Sequence, residues 1–336
     1  MKYCIWNNKG GVGKTFLTYC IATTYAERHP DKNVVVVDMC PQANISEMLL
    51  GGDGPGEERL NTCFENARTI ASYIKSRYDR SRFGKLGSEI GYFVRVREYN
   101  TNISENLYLL PGDLDLDICS SIIDHMAMAP ERKAWEKSRA FLSDILGVFE
   151  AEYKNTVFFI DSNPSFANYT QLGLVASDRI IVPCTADSAS IRGIRNILRL
   201  VFGVRGTQTI GDEVIFDEFN LKLKDMGVSP KIHSFVLNKA RTHDKSASTA
   251  YQAHAKAIEK VTKECILNNA ECFGKNPQTY DMKDCNTLAP VMGFTGLPPS
   301  KLSQKKYEVY GEYTQVNQSQ IEAFEKDLNK VVAGIS

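Results

Sequence analysis

Short β-branched runs alternate with segments of helical periodicity along most of the chain. The segment Asn33–Asp38 contains four consecutive valines, which is typical of a parallel strand buried on both faces. Similar apolar runs predict strands at residues 2–6, 107–110, 156–161, 179–183, 232–238 and roughly 288–294. Helical spacing predicts a helix that begins near Thr15 and further helices over residues 131–150, 188–202 and 247–268. This alternation predicts an α/β fold, a doubly wound and mostly parallel sheet flanked by helices.

Two stretches interrupt that alternation. Residues 51–106 open with the glycine-rich run Gly51–Gly56 and contain arginine and lysine on apparently helical segments. Residues 203–230 are polar and of mixed charge. We predict that both stretches are insertions in a single domain that covers residues 1–336.

Charge and cysteine content narrow the possible classes of function. The 336 residues include 40 Lys and Arg against 40 Asp and Glu, a balance that excludes a uniformly basic nucleic-acid binder but permits a local basic patch. The nine cysteines form no CxxC pair and no zinc-like spacing. The apolar run at the N-terminus is too short for a signal peptide. We therefore expect reduced thiols and a soluble, cytoplasmic protein.

The strongest chemical signal is a glycine-rich loop between the first strand and the first helix. Glycines allow the backbone N–H groups of such a loop to point inward, and the helix N-terminus adds partial positive charge, so the loop attracts phosphate. Lys14 would reach the β- and γ-phosphates, and the Thr15 hydroxyl would ligate Mg²⁺. The predicted nucleotide-binding residues of this loop are Gly10, Gly11, Val12, Gly13, Lys14, Thr15 and Phe16.

A second lysine makes the loop more specific, because Lys9 precedes the first glycine, where a general phosphate loop requires no lysine. The run Lys9–Thr15 resembles the deviant phosphate loop of the ParA/MinD ATPases. Residues 36–44 resemble the second motif of that family and residues 158–165 its Walker B strand. The sequence Pro41-Gln42-Ala43-Asn44 is closer to ParA partition proteins than to MinD. The resemblance implies an ATP- and Mg²⁺-dependent homodimer in which Lys9 reaches the nucleotide of the partner.

The same resemblance implies roles for residues farther along the chain. Asp38 matches the first aspartate of the second motif and would lie near the metal. Asp161 ends a buried strand, where it would hold Mg²⁺ through water. Asn238, Pro298 and Pro299 lie in segments that resemble those framing adenine, although Asn238 could equally cap a strand end.

One position departs from the family pattern. The second aspartate of the Asp-x-Asp motif, which orients the attacking water in the family, is Cys40 in this chain. A thiol is a weak hydrogen-bond acceptor and is mostly neutral near pH 7. We therefore expect Cys40 to make ATP hydrolysis slow or dependent on a partner protein. Two alternatives remain: another group positions the water, or the protein is a hydrolysis-deficient scaffold that recruits a partner when it binds ATP.

Local charge suggests what the dimer binds. Residues 59–100 (the first basic segment) contain nine basic and four acidic residues, and residues 231–263 (the second basic segment) contain seven and two. Such an excess can give salt-sensitive binding to non-specific DNA, or it can be a solvated helical face. The apolar stripe from Ile321 to Val331 has a polar face of balanced charge, which argues against membrane targeting. We expect positioning or segregation of DNA or another cargo, and neither the loading of metal clusters nor a kinase reaction.

Overall fold

The sheet is the element on which the rest of the molecule is built. In this computed structural model, residues 1–79, 89–204, 213–239, 245–283 and 285–335 are described. The strands are β1 Lys2–Ile5, β2 Asn33–Met39, β3 Val94–Arg95, β4 Leu107–Leu110, β5 Thr156–Ser162, β6 Arg179–Thr185, β7 Lys231–Lys239 and β8 Phe273–Lys283, with a separate hairpin of β9 Lys305–Val309 and β10 Glu312–Val316.

Helices cover both faces of this sheet. They are α1 Lys14–Arg28, α2 Asn44–Leu50, α3 Pro55–Glu65, α4 Ile70–Asp79, α5 Leu116–Ala127, α6 Ala134–Arg139, α7 Phe141–Glu152, α8 Asn168–Ala176, α9 Ser188–Phe202, α10 Glu213–Asp225, α11 Lys245–Asn268, α12 Cys285–Thr295 and α13 Gln318–Ala333. Among the described residues, no helix is both long and apolar enough to cross a membrane.

The strand order is β3-β4-β2-β5-β1-β6-β7-β8, and every pairing is parallel except that of the edge strand β3 with β4. The predicted doubly wound, mostly parallel α/β sheet is therefore confirmed. Its central strands are almost wholly buried, because their β-branched side chains pack against a helical layer on each face. The carboxyl ends of β1, β2 and β5 meet at one edge of the sheet, where ligands bind in folds of this kind.

The predicted strand at residues 288–294 is wrong. This segment lies in α12, where Leu288, Val291 and Met292 are buried at helical spacing. The eighth strand is instead β8, a mostly polar edge strand whose hydropathy gave no alternating signal. The helix predicted over residues 131–150 is two helices, α6 and α7, which meet at Ala140.

The glycine-rich run at residue 51 is a backbone crossing. Gly52 has a φ of +79°, and an added Cβ would lie 2.4 Å from the Phe294 carbonyl oxygen. The Asn100 amide donates to the carbonyl oxygen of Gly296 at 2.8 Å and to that of Leu49 at 3.2 Å. Gly52 and Asn100 are thereby fixed against the end of α12 and the residue that follows it. Their status as an insertion, like that of residues 203–230, which contain α10, stays a prediction.

Candidate functional site

The loop between β1 and α1 has the backbone of an anion-binding turn. Gly11 and Gly13 have φ values of +69° and +81°, a region that favours glycine, and Gly13 is the N-cap of α1. Space at Gly13 is also limited, because an added Cβ would lie 2.7 Å from the Asn238 amide nitrogen. The loop therefore directs its backbone and the N-terminus of α1 toward the same point.

Lys14 is folded into this loop. Its ammonium group donates to the Lys9 carbonyl oxygen at 2.9 Å, and the side chain is largely buried. Burial lowers the pKa of Lys14 to about 8, although the nearby Asp161 and Cys40 act in the opposite direction. A cation held this way can exchange a single carbonyl partner for an anion.

Two buried carboxylates lie beside the loop on neighbouring strands, where Asp38 of β2 is in register with Asp161 of β5. Asp161 accepts hydrogen bonds from Thr15 at 2.8 Å and Thr18 at 3.0 Å. Burial, and then the charge of Asp38, raise the pKa of Asp161 to about 7. Burial also raises the pKa of Asp38 to about 6, against the hydrogen bonds from Ser46 and the Cys40 backbone.

This donor set fits a hard divalent cation. Two carboxylates that burial and mutual repulsion destabilise in their ionised form would be stabilised by a cation beside the Thr15 hydroxyl. Within the described ranges, no three His, Cys, Asp or Glu side chains are arranged to hold a metal ion. Such an ion would take its remaining ligands from phosphates and water, as Mg²⁺ usually does.

A cavity of about 620 Å³ opens in front of the loop, a size that accommodates a nucleotide. Of the predicted site residues, Gly11, Gly13, Lys14, Thr15, Phe16 and Cys40 line it. Sequence reasoning missed the other lining residues that the structure brings here, which are Gln42, Asn44, Met48, Ser162, Asn163, Pro164 and Ala289. Asn163 had a detectable signal, because it lies two residues after Asp161 at a strand end. Ala289 had none, because α12 was mistaken for a strand.

Lys9 does not line the cavity. Its ammonium group forms an ion pair with Asp187 and donates to the Thr185 hydroxyl at 2.6 Å. Partial burial raises the pKa of Asp187, but the hydrogen bonds from Lys9 and Thr185 outweigh it and hold that pKa at about 2. Within a single chain, Lys9 therefore connects the phosphate loop to the N-terminus of α9, where Asp187 is the N-cap.

The residues predicted to frame adenine separate in the structure. The Asn238 side chain donates to the Val12 carbonyl oxygen and so contacts the phosphate loop. Pro298 and Pro299 do not line the cavity and lie beside the far end of α1. The reason is that the Tyr19 hydroxyl donates to the Gly296 carbonyl at 3.0 Å and Ser300 donates to Glu27 at 2.5 Å, which fixes this segment along α1.

Cys40 lines the cavity and is half-buried. Burial, followed by the charge of Asp38, raises the pKa of the Cys40 thiol to about 11, so the thiol stays protonated at neutral pH. The side-chain amide of Asn163 approaches the sulfur at 3.6 Å. Cys40 therefore contributes a neutral side chain to the wall of the cavity.

The first basic segment is bound to its own chain. Arg59, Arg68, Arg95 and Arg97 donate to backbone carbonyl oxygens, and Lys75 and Arg77 form ion pairs with Asp115 and Asp144. Three further members of this predicted segment, Arg80, Arg82 and Lys85, lie outside the described residues.

The second basic segment differs from the first because most of its described basic side chains are exposed. Lys231 donates to the Glu271 carbonyl oxygen, whereas Lys256, Lys260 and Lys263 are exposed along one face of α11. Arg192 and Arg195 are exposed on the neighbouring helix α9, and these five residues are called the α9–α11 face below. Of the rest of the predicted segment, Arg241 and the side chains of Lys239 and Lys245 lie outside the described part of the chain.

Comparison with known proteins places these features in a family. The sequence model of AAA_31, described as an AAA domain, matches residues 2–210. A ParA family protein of Mycoplasma genitalium is 24% identical over 92% of this chain and 93% of its own length. The chromosome partitioning protein ParA of Caulobacter vibrioides is 24% identical over 85% of this chain and 89% of its own length.

Solved structures agree on the fold. Apo McdA from Cyanothece aligns with a TM-score of 0.57 and 14% identity, and the alignment covers 98% of each chain. A variant of that protein in complex with ATP aligns with the same TM-score over 100% of this chain and 96% of its own. At this identity the likeness shows the fold alone. With the family match and the homologous sequences, it shows that the chain belongs to the AAA_31 family, as a ParA-type P-loop ATPase.

Proposed function

We propose that this protein is an ATP-dependent switch that forms a nucleotide-sandwiched homodimer and positions or segregates DNA or another cargo. One observation supports this most directly: Lys14 and Thr15 line a nucleotide-sized cavity at the N-terminus of α1, and the buried carboxylates of Asp161 and Asp38 lie directly behind Thr15 on neighbouring strands. The ParA protein of Caulobacter vibrioides is named for chromosome partitioning, which supports a cargo of this type.

The residues of the chain suggest how nucleotide would be held. Lys14 would exchange the Lys9 carbonyl oxygen for the β- and γ-phosphates, and the glycine backbone would donate N–H groups to them. Thr15 would turn its hydroxyl from Asp161 toward the metal. When bound, Mg²⁺ would neutralise phosphate charge. Asp38 and Asp161 would orient that metal, Asp161 through water.

Lys9 would connect nucleotide binding to dimerisation. In the single chain its charge is compensated by Asp187, so Lys9 has to leave this ion pair before it can reach the partner's nucleotide. If Lys9 acts across the dimer, Lys9→Ala abolishes the ATP-dependent dimer and weakens any DNA binding that needs it. Size-exclusion chromatography with ATP and with ADP measures the first effect, and an unchanged dimer would contradict the cross-dimer role.

DNA would bind the α9–α11 face. Lys256 and Lys263 form no ion pair with any described residue, so their charges are available to phosphates. A dimer would present two such faces, which makes binding stronger in ATP than in ADP. A partner protein would regulate ATP turnover, and no membrane partner is proposed.

Hydrolysis is expected to be slow. The neutral thiol of Cys40 cannot replace a carboxylate that accepts hydrogen bonds from the attacking water. We expect Cys40→Asp to raise steady-state turnover roughly tenfold or more, in keeping with the gain from a positioned catalytic group. Phosphate release is measured for both proteins with and without non-specific DNA. No increase in Cys40→Asp would contradict the catalytic interpretation of this position.

The same thiol favours a second candidate, a nucleotide-gated scaffold with negligible hydrolysis. Such a scaffold dimerises with ATP and recruits a protein but releases no phosphate. A wild-type chain that dimerises with ATP, does not bind DNA and shows no turnover would support the scaffold over the partition switch.

A further inference from the structure

Two neutral side chains form one wall of the nucleotide cavity. Cys40 follows β2 and Asn163 follows β5, and both line the cavity. The Asn163 amide nitrogen lies 3.6 Å from the Cys40 sulfur and donates to it. This contact involves neither a residue of the phosphate loop nor the carboxylates of Asp38 and Asp161.

The direction of the Asn163 amide is fixed by its surroundings. Its oxygen accepts from the Ser165 backbone N–H at 3.0 Å and from the Ser165 hydroxyl at 2.9 Å. A backbone N–H can only donate, so the amide oxygen faces Ser165 and the amide nitrogen faces Cys40. The Asn163 carbonyl oxygen also accepts from the buried Trp6 indole at 3.1 Å. Hydrogen bonds within the chain therefore fix both the side chain and the backbone of Asn163.

This wall presents hydrogen-bond donors. The Asn163 amide nitrogen has a second hydrogen, and the Cys40 sulfur accepts one hydrogen bond while its own S–H remains a donor. A carboxylate at this place would accept hydrogen bonds from water and repel a phosphate. Neutral donors do the reverse, because they stabilise an anion and do not accept a proton from water.

We propose that Cys40 and Asn163 together recognise the terminal phosphate of the bound nucleotide, and that Asn163 determines the preference for ATP over ADP. The inference rests on the proposed function, since it requires nucleotide in this cavity. The pair lines the same cavity as Lys14, where it holds the terminal phosphate without activating water. The pair therefore makes the triphosphate-bound state long-lived. ADP lacks the terminal phosphate and binds without contacting the pair.

The decisive variant is Asn163→Asp. It preserves the size of the side chain and the acceptor for Ser165 but replaces the amide donor with a charged oxygen. We expect affinity for the non-hydrolysable analogue AMPPNP to fall roughly tenfold or more, as for a lost hydrogen bond to a charged group. Affinity for ADP stays within about twofold, because the lost donor does not contact ADP. Isothermal titration calorimetry with each nucleotide and Mg²⁺ measures both.

Matched variants separate recognition from loop shape. Ser165→Ala removes one hydrogen bond to the Asn163 oxygen but keeps the amide, so its AMPPNP affinity stays within about threefold of wild type. Cys40→Ser keeps a donor and the preference for AMPPNP, whereas Cys40→Ala loses part of that preference. Thermal unfolding of each variant verifies that it folds. The Asn163→Asp effect persists in a Lys9→Ala background, since the pair lies within one chain.

The outcomes distinguish this inference from the proposed function. Equal losses of AMPPNP and ADP affinity in Asn163→Asp would overturn it and assign Asn163 to loop structure. So would unchanged affinity for both nucleotides, or a rise in turnover without loss of AMPPNP affinity. If the wild-type chain binds neither nucleotide, the proposed function itself fails.

Discussion

Basic side chains are paired within the chain in the first basic segment, residues 59–100, but are exposed on the α9–α11 face. By sequence, the first segment and residues 231–263 have the same excess of five basic residues. In the structure, each basic residue of the first segment that is described donates to a carbonyl oxygen or a carboxylate of its own chain. On α11, by contrast, Lys256, Lys260 and Lys263 face solvent.

The difference follows from local geometry. The described arginines and lysine of the first segment lie beside acceptors of their own chain, which are backbone carbonyl oxygens for four arginines and carboxylates for Lys75 and Arg77. The long helix α11 satisfies its own backbone, and of its three exposed lysines only Lys260 has an ion pair with a described residue, Glu264 at 3.8 Å. The same excess of basic residues is therefore paired within the chain in the first segment and largely exposed on α11.

The largest expected effect tests the α9–α11 face. The triple variant Arg195→Ala, Lys256→Ala and Lys263→Ala should lose at least about 100-fold in affinity for non-specific DNA at low salt, because three phosphate contacts per protomer are removed. The slope of log affinity against log salt should also become shallower by roughly three units for each protomer that contacts the DNA. Fluorescence anisotropy with ATP present measures both. An unchanged salt slope would place the DNA surface elsewhere.

A smaller but distinct effect is expected at Arg77 in the first segment. Arg77 is buried, pairs with Asp144 at 3.3 Å and lies over the Phe141 ring with its Cζ 5.4 Å from the centroid. Arg77→Met keeps the apolar stem but leaves Asp144 uncompensated, so the free energy of unfolding should fall by about 2–3 kcal/mol. Urea denaturation measures it.

The control is the DNA affinity of the same protein, which Arg77→Met should leave unchanged. A loss of DNA binding with normal stability would mean that Arg77 reaches the surface and that the contrast between the two regions is wrong.

The sequence predicted the parts of the fold that depend on buried, β-branched strands. Asn33–Met39 and Thr156–Ser162 were identifiable because a strand buried on both faces needs no polar alternation. The edge strand Phe273–Lys283 was not, because most of its side chains are not buried. Residues 288–294 were assigned to the wrong element because a short apolar run does not by itself distinguish a buried helix from a strand.

The candidate site was predictable only where its residues are contiguous in sequence. The phosphate loop is contiguous in sequence, so the order of its residues alone identifies its glycines, Lys14 and Thr15. The contact between Cys40 and Asn163 joins residues 123 positions apart and depends on the pairing of β2 with β5. The position of Pro298 depends on hydrogen bonds to α1, which no local pattern reports.

The smallest expected effect comes from the exposed ion pair of the first segment, in which Lys75 contacts Asp115. Both side chains are more than a third exposed, at 38% and 44%, so water and salt screen their attraction. Lys75→Ala should lower the free energy of unfolding by less than about 1 kcal/mol and leave DNA affinity unchanged.

Lys256→Ala is the matched control, since it also removes one exposed lysine from a helix, and it should weaken DNA binding severalfold without loss of stability. Equal DNA effects in the two variants would show that exposure alone decides which lysines bind DNA. A difference between them would show that the partner of each lysine decides, because Asp115 compensates the Lys75 charge and no described residue forms an ion pair with Lys256.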